Sequence, residues 1–243
     1  MTRLLYTGKK APKRLRKALP LSNYLHMSAV QFPAVMAWER PISLGMLGND
    51  MVGDCTIAGR YHLRMIQRSV AQAGNPLVVT DQQALSDYSA ITGYVQGNPS
   101  TDNGAAMTDV LTWYKDRYVT IDTQNIDMVK AACFLFGGLY IGFAVPQSLA
   151  DQLNNGQTPT FDMVPGDKPS GEGHCIDPCG YGRDGFAFAS WGTYYRASWD
   201  FWTEWVDEAY ALVEPDWIKA SGVSPSGLDL NGLIADLNQQ ALS

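Results

Sequence analysis

The residues of this sequence that could do chemistry begin with Cys55, which follows a polar, glycine-rich loop at residues 48–53. Apolar residues after Cys55 recur at helical spacing, which predicts a helix over about residues 54–73. Cys55 would lie in its first turn, where the helix dipole and unpaired backbone N–H groups stabilise a thiolate. The sequence therefore predicts a nucleophile of low pKa that alkylates rapidly. The alternative is a small buried thiol, because cysteine is among the most buried residue types.

A histidine that could act as the base lies at position 174. It belongs to the run Gly-His-Cys-Ile-Asp-Pro-Cys-Gly-Tyr-Gly at residues 173–182, which is followed by Ala-Ser-Trp-Gly at residues 189–192. An imidazole beside a thiol can stabilise the thiolate and later protonate a leaving group. His62 is a weaker candidate, because seven residues of helix would place it about 10 Å from Cys55 along the axis.

Together these motifs resemble the papain-like cysteine peptidases over about residues 45–210. That family has an amide side chain six residues before its nucleophile, a glycine two residues before it, and a histidine starting a strand that ends in Gly-Tyr-Gly. Asn49, Gly53, Cys55 and His174 match this arrangement, although the family's amide is usually Gln. The resemblance implies an acyl-enzyme on Cys55, with His174 as base and Asn49 as a donor to the oxyanion.

The main departure from the family lies at residue 189. The family has Asn-Ser-Trp-Gly where this chain has Ala-Ser-Trp-Gly. Ala189 replaces the asparagine that orients the histidine, so restoring Asn there is expected to speed acylation, and Trp191 would cover the ring. Asp177 is a candidate substitute, but on a regular strand it faces away from His174, which favours a surface or loop-facing position.

The resemblance also implies residues that bind substrate. Asn103 and Gly104, in a glycine-rich loop, occupy the place where the family pairs with substrate main chain, and Gly173 would offer its backbone. Glycine permits such close backbone approach. The alternative for Asn103 and Gly104 is an ordinary turn.

The resemblance implies an α+β fold with two lobes and a cleft between them. A helical lobe would span about residues 45–122 and an antiparallel, β-barrel-like lobe about residues 123–220. Residues 1–44 are predicted to form a basic arm and strap, and residues 221–243 a tail with a short helix. With 243 residues and 46% hydrophobic content, the chain can bury one large core or two. Patterning further predicts helices at about residues 80–89, 105–117 and 125–136, strands at 139–145, 174–181 and 185–191, and a long loop at 156–173.

The four cysteines predict neither disulfides nor a metal site. They are Cys55, Cys133, Cys175 and Cys179. A chain of this size needs no disulfide for stability. Cys175 and Cys179 with His174 suggest a metal, but on a strand the histidine faces the opposite side from both thiols. We therefore predict no metal and no cofactor.

Charge is distributed unevenly between the arm, residues 1–17, and the rest of the chain. The arm has seven basic residues and no acidic ones, while the remainder has 11 basic and 24 acidic residues. One interpretation is a solvated tail or a strap across the protein's own acidic surface; the other is docking to an acidic partner or a neighbouring subunit. No zinc-finger, RRM or P-loop signature indicates a nucleic-acid enzyme.

The predicted function is that of a peptidase or amidase acting on a peptide or protein. The apolar runs are too short for a membrane span, and residues 1–17 do not resemble a secretory signal. The prediction is a cytoplasmic protein similar to propeptide-free bacterial or phage members, or a virion protein if phage-encoded. The alternatives are a papain-like fold kept as a structural or binding module, for example in a virion, and acyl transfer by the same Cys-His pair.

Overall fold

The computed structural model describes residues 5–13, 19–72, 74–214, 217–218 and 228–240. Four basic residues of the arm lie outside the described residues: Arg3, Arg14, Arg16 and Lys17. Residues 221–227, the start of the predicted C-terminal tail, also lie outside them. No helix in the described part of the chain combines the length and the apolar character needed to cross a membrane.

Helices dominate the first half of the described chain. They are α1 (Cys55–Ala71), α2 (Asp81–Thr92) and α3 (Met107–Tyr114). All three were predicted, with ends within a few residues of those observed. Helix α2 starts with the predicted cap, in which Thr80 Oγ1 accepts a hydrogen bond from the backbone N–H of Gln83. Local capping chemistry and apolar periodicity therefore account for this half of the fold.

An antiparallel sheet dominates the second half. Its strands are β1 (Met36–Ala37), β2 (Tyr118–Thr120), β3 (Tyr140–Pro146), β4 (Pro169–Tyr181), β5 (Gly185–Ser190), β6 (Thr193–Ser198) and β7 (Val206–Leu212). The order is β2-β7-β3-β4-β5-β6, with β1 paired to β4. The α+β class is confirmed. The barrel-like closure is wrong, because the described strands form an open sheet ending at β2 and β6.

The remaining helices pack around the sheet. They are α4 (Ile126–Phe136), α5 (Gln147–Asn154), α6 (Trp199–Trp205) and α7 (Leu230–Gln240). Helix α5 was not predicted, and the predicted loop at residues 156–173 is shorter than expected. Strand β4 begins early because Pro169 already pairs with Pro146 beyond a bulge in β3. The long strand carries the backbone continuously into residues 173–175.

Helix α1 lies against strands β4 and β5 and so brings the start of the helix to the sheet. The contact is close because Gly59 has no side chain: a Cβ there would lie 2.9 Å from Cys175 Sγ. One apolar cluster joins Ile57 of the helix to Ala189 of the sheet. The opposite face of the sheet belongs to a separate, larger core that includes Phe143.

Candidate active site

Cys55 is the first residue of α1, as predicted, but its environment is not the one expected. The thiol is only 1% exposed, and burial raises the pKa of Cys55 to about 12. A backbone hydrogen bond from Cys175 lowers the pKa, the Asp54 charge raises it, and the charge and backbone of Lys9 lower it. The predicted low pKa is therefore wrong for this structure, because desolvation outweighs the position at the helix terminus.

His174 lies on β4 with its ring stacked on Trp191, at 4.1 Å between centroids and 15° between planes. Its Nε2 is 2.8 Å from Ser190 Oγ, and its Nδ1 has no hydrogen-bond partner among the described residues. Burial, with smaller contributions from the nearby charges of His62 and Lys9, lowers the pKa of His174 to about 3. The imidazole is therefore neutral at physiological pH.

Cys55 and His174 are close in the fold but do not form an ion pair. Cys55 Sγ lies beside the backbone of Cys175, the residue after His174, yet His174 Nδ1 makes no hydrogen bond to Cys55 or to any other described residue. With a thiol pKa near 12 and an imidazole pKa near 3, the proton stays on sulfur at neutral pH. The resting pair is a neutral thiol and a neutral imidazole.

Residues 6–10 of the arm lie across this site. On one side the backbone N–H groups of Gly8 and Lys9 donate to the Gly173 carbonyl, at 3.1 and 2.9 Å. On the other side the Ala105 N–H donates to the Gly8 carbonyl, and the Lys10 N–H donates to the Ala105 carbonyl, both at 3.0 Å. The arm thus binds both walls of the cleft, and Lys9 forms a parallel β-bridge with Ala105.

Two of the residues predicted to bind substrate backbone form the walls beside the arm. A Cβ on Gly104, whose φ is +67°, would lie 1.8 Å from the Gly8 carbonyl oxygen, and one on Gly173 would lie 2.5 Å from that of Lys9. Only glycine permits so close a backbone approach. Asn103 is exposed, and its backbone N–H bonds the Thr101 carbonyl within its own loop.

Asn49 holds the loop that precedes Cys55. The side-chain Nδ2 of Asn49 donates to the Val52 carbonyl at 3.1 Å. The backbone carbonyl of Asn49 accepts a hydrogen bond from the backbone N–H of Tyr6 in the arm. The side chain is buried. One amide hydrogen of the predicted oxyanion donor is therefore bound within the loop while the arm is in place.

The two residues considered for orienting His174 lie on the opposite face of the sheet. Asp177 and Ala189 pair across β4 and β5 and face α1, where Asp177 approaches Gly59. Side chains alternate along a strand, so His174 and Ser190 occupy the other face. Ser190, which the sequence analysis did not select, bonds the imidazole. The metal interpretation fails for the same reason, because Cys175 faces α1 and His174 faces Trp191.

Asp177 is fully buried rather than surface-facing, so that expectation was wrong. Neither carboxyl oxygen has a hydrogen-bond partner in the part of the chain that the structure describes, and burial raises the pKa of Asp177 well above its usual 3.8. Above about pH 4 the unfolded chain has released this proton while the folded protein still holds it. The free energy of unfolding therefore falls as pH rises from 3.8 towards the raised pKa.

We expect Asp177→Asn to flatten this fall in stability. One proton retained on folding contributes a slope of up to about 1.4 kcal/mol per pH unit, and the amide cannot titrate. Urea unfolding at several pH values between about 4 and 8 measures the slope. The matched control is Asp184→Asn, since Asp184 is almost fully exposed. Equal slopes for Asp177→Asn and the unmodified protein would contradict the buried, protonated carboxyl.

Lys9 is a second feature that the sequence analysis did not select. Its side chain is 1% exposed, and Nζ lies 2.9 Å from Asp207 Oδ2 and 3.2 Å from Glu208 Oε1. A second arm lysine, Lys13, pairs with Asp109 on the surface. These two lysines bind carboxylates of the same chain, which agrees with a strap. Docking of the arm to another molecule stays a prediction.

Comparison with known proteins finds similar proteins by structure but none by sequence. No model of a protein family matches, and no curated protein matches either. The structure is similar to xylellain, a cysteine protease from Xylella fastidiosa, with a TM-score of 0.56 and 13% identity over 87% of this chain and 97% of that one. It is also similar to the digestive procathepsin L 3 of Tenebrio molitor larval midgut, with a TM-score of 0.53 and 13% identity over 88% and 76% of the chains. The chain has the fold of papain-like cysteine proteases.

Proposed function

We propose that this protein is a thiol hydrolase, a peptidase or amidase, that forms an acyl-enzyme on Cys55 with His174 as its base. One observation carries the proposal: the arm lies in an extended course between Ala105 and Gly173, the residue before His174, with the backbone of Lys9 beside the Cys55 thiol at the start of α1, as an extended peptide substrate would. Strand addition of this kind is a general mode of peptide binding.

Chemistry requires the arm to leave the cleft. Water then reaches both groups, so the thiol pKa falls and the imidazole pKa rises. The proton moves from Cys55 Sγ to His174 Nδ1, and the thiolate attacks the substrate carbonyl carbon. The C–N bond breaks as the imidazolium protonates the leaving amine. Water then cleaves the thioester, which releases the acid and restores the thiol.

The backbone groups that hold the arm are the ones a substrate would use. Ala105 offers both its N–H and its carbonyl on one wall, and Gly173 offers its carbonyl on the other. The arm places the backbone of Lys9 beside Cys55 Sγ and the Lys9 N–H donates to the Gly173 carbonyl, whereas attack requires a carbonyl carbon. We therefore infer that the arm blocks the site without being its substrate.

The test uses the Lys9→Ala protein, in which the arm is held less tightly. It is treated with a peptide vinyl sulfone, and the adduct is located by peptide mass mapping. We expect one adduct, on Cys55, that is absent from a variant with the added change Cys55→Ala and present with the control change Cys133→Ala. Adducts spread over all four cysteines would contradict the proposal.

Turnover separates an enzyme from a binding module. The same protein is incubated with a mixture of peptides, and the products are followed by mass spectrometry. We expect cleavage that depends on both Cys55 and His174. A structural or binding module would label on Cys55 without releasing products, and that result would overturn the hydrolase.

A further inference from the structure

The Lys9 side chain is buried in an acidic pocket beside the candidate nucleophile, formed by the buried Glu208 and the partly exposed side chain of Asp207. Its Nζ lies between Asp207 and Glu208, and its charge acts on the Cys55 thiol. Gly142 forms the wall along the aliphatic stem, since a Cβ there would lie 1.9 Å from Lys9 Cε. The pocket thus has the length and the charge for an extended basic side chain.

A β-bulge creates the acidic end of this pocket. Between β3 and β7, Gly142 pairs with Glu208 while Phe143 pairs with Val206, so Asp207 is an extra residue on β7. In a regular strand, consecutive side chains point to opposite faces. The bulge lets two neighbouring carboxylates converge on one ammonium group, and bulges commonly re-aim side chains beside active sites.

The pocket requires a cation when it is occupied. Glu208 is buried and accepts a hydrogen bond from Tyr210 Oη at 2.7 Å. Burial raises the pKa of Glu208, and the Lys9 charge opposes that rise. A neutral occupant would leave the buried Glu208 carboxylate uncompensated, which is costly. If the contact served only stability, apolar side chains in place of Lys9, Asp207 and Glu208 would stabilise the fold as well.

We propose that this pocket is a specificity pocket that selects substrates with a lysine or arginine side chain. Arm and substrate share the cleft, so the selected residue is the one whose backbone lies between Ala105 and Gly173, as that of Lys9 does. The chemical class is a primary ammonium or guanidinium group on a stem of three or four carbons. This inference rests on the proposed hydrolase.

The first experiment tests the pocket without requiring activity. Lys9→Ala is heated with n-butylammonium chloride, with n-butanol at the same concentration, and with sodium chloride at the same ionic strength. We expect the melting temperature to rise with n-butylammonium alone, because the cation replaces the lost group and binds the folded state. The matched control is Lys13→Ala, which leaves no buried vacancy and should show no such rise.

The rescue stays decisive if Lys9→Ala does not fold alone. The protein is then refolded from urea in each of the three solutions, and we expect recovery only with n-butylammonium. Equal recovery in all solutions, or none in any, contradicts the cation pocket. The double variant Lys9→Ala/Glu208→Gln should lose most of the rescue, since half of the acidic pair no longer carries charge.

The second experiment measures selectivity. Lys9→Ala is given peptides that differ at one position, with Lys, Arg, norleucine or Glu. We expect kcat/KM to be at least about tenfold higher for Lys and Arg than for norleucine, and the preference to shrink in Lys9→Ala/Glu208→Gln. Hydrolysis that favours norleucine overturns the pocket and keeps the hydrolase. Rescue by n-butylammonium without any hydrolysis keeps the pocket as a cation site and overturns the hydrolase.

Discussion

Lys9→Ala is expected to raise the rate of Cys55 alkylation at neutral pH by about 100- to 4,000-fold. Removing one partner of a buried ion pair costs about 3–5 kcal/mol, because the remaining charge stays buried. Here the cost falls on the state in which the arm covers the site, since Asp207 and Glu208 regain solvent when it leaves. Each 1.4 kcal/mol or so changes the open population about tenfold.

Iodoacetamide labelling with peptide mass readout checks this expectation. Cys133 and Cys179 serve as internal controls, because both are buried in the body of the protein. Lys13→Ala is the matched variant: its ion pair is exposed, and such pairs contribute about 0–1 kcal/mol, so the rate should change less than about fivefold. Faster labelling of all cysteines would indicate global unfolding, and no change at Cys55 would show that Lys9 does not hold the arm.

The elements that could be predicted are those encoded locally. The helix behind Cys55 follows from apolar residues at helical spacing, and α2 follows from the Thr80 cap. The fold was predicted from the two short motifs around Cys55 and His174. The likeness to solved cysteine protease structures supports that prediction. Local patterns could place Cys55 at a helix start because position in a helix depends on neighbouring residues.

The chemical state of Cys55 could not be predicted, because it depends on residues far away in the chain. Arm residues that precede the thiol by more than 40 positions lie across the site, and Lys9 pairs with Asp207 across 198 positions. Seven basic residues gave the arm its predicted charge, but nothing in the sequence marked Lys9 as buried. Two sequence features could have indicated the pocket for Lys9. One is Gly142 inside the apolar strand β3, and the other is the adjacent pair Asp207 and Glu208 in an aromatic segment.

The partner of His174 could not be predicted because it depends on strand alternation. The family pattern pointed to residue 189, but Ala189 packs with Cys179 on the α1 side of the sheet. The neighbouring Ser190 faces the histidine and bonds its Nε2. Moving one position along a strand moves a side chain to the other face. The Ser in Ala-Ser-Trp-Gly was the only sequence signal.

In the Lys9→Ala background, Ser190→Ala is expected to slow the acylation of Cys55 about 10- to 100-fold. The Ser190 hydroxyl can accept a hydrogen bond from His174 Nε2, and this bond strengthens when the ring becomes an imidazolium. Hydrogen bonds to charged groups contribute about 1.5–3 kcal/mol. Ser190 is therefore a positioning residue. The measurement is the acylation rate against pH, and the pKa assigned to His174 should fall in Ser190→Ala and return in Ser190→Thr.

Ala189→Asn provides the opposing test, because the family pattern implies that it should speed acylation. We now expect no gain, since the new amide would face an apolar cluster on the far side of the sheet, and a buried polar group without a partner costs about 1–3 kcal/mol. Melting temperatures of both variants separate lost stability from lost orientation. If Ala189→Asn raises the rate while Ser190→Ala changes neither the rate nor its pH dependence, residue 189 orients the histidine and the role assigned to Ser190 is wrong.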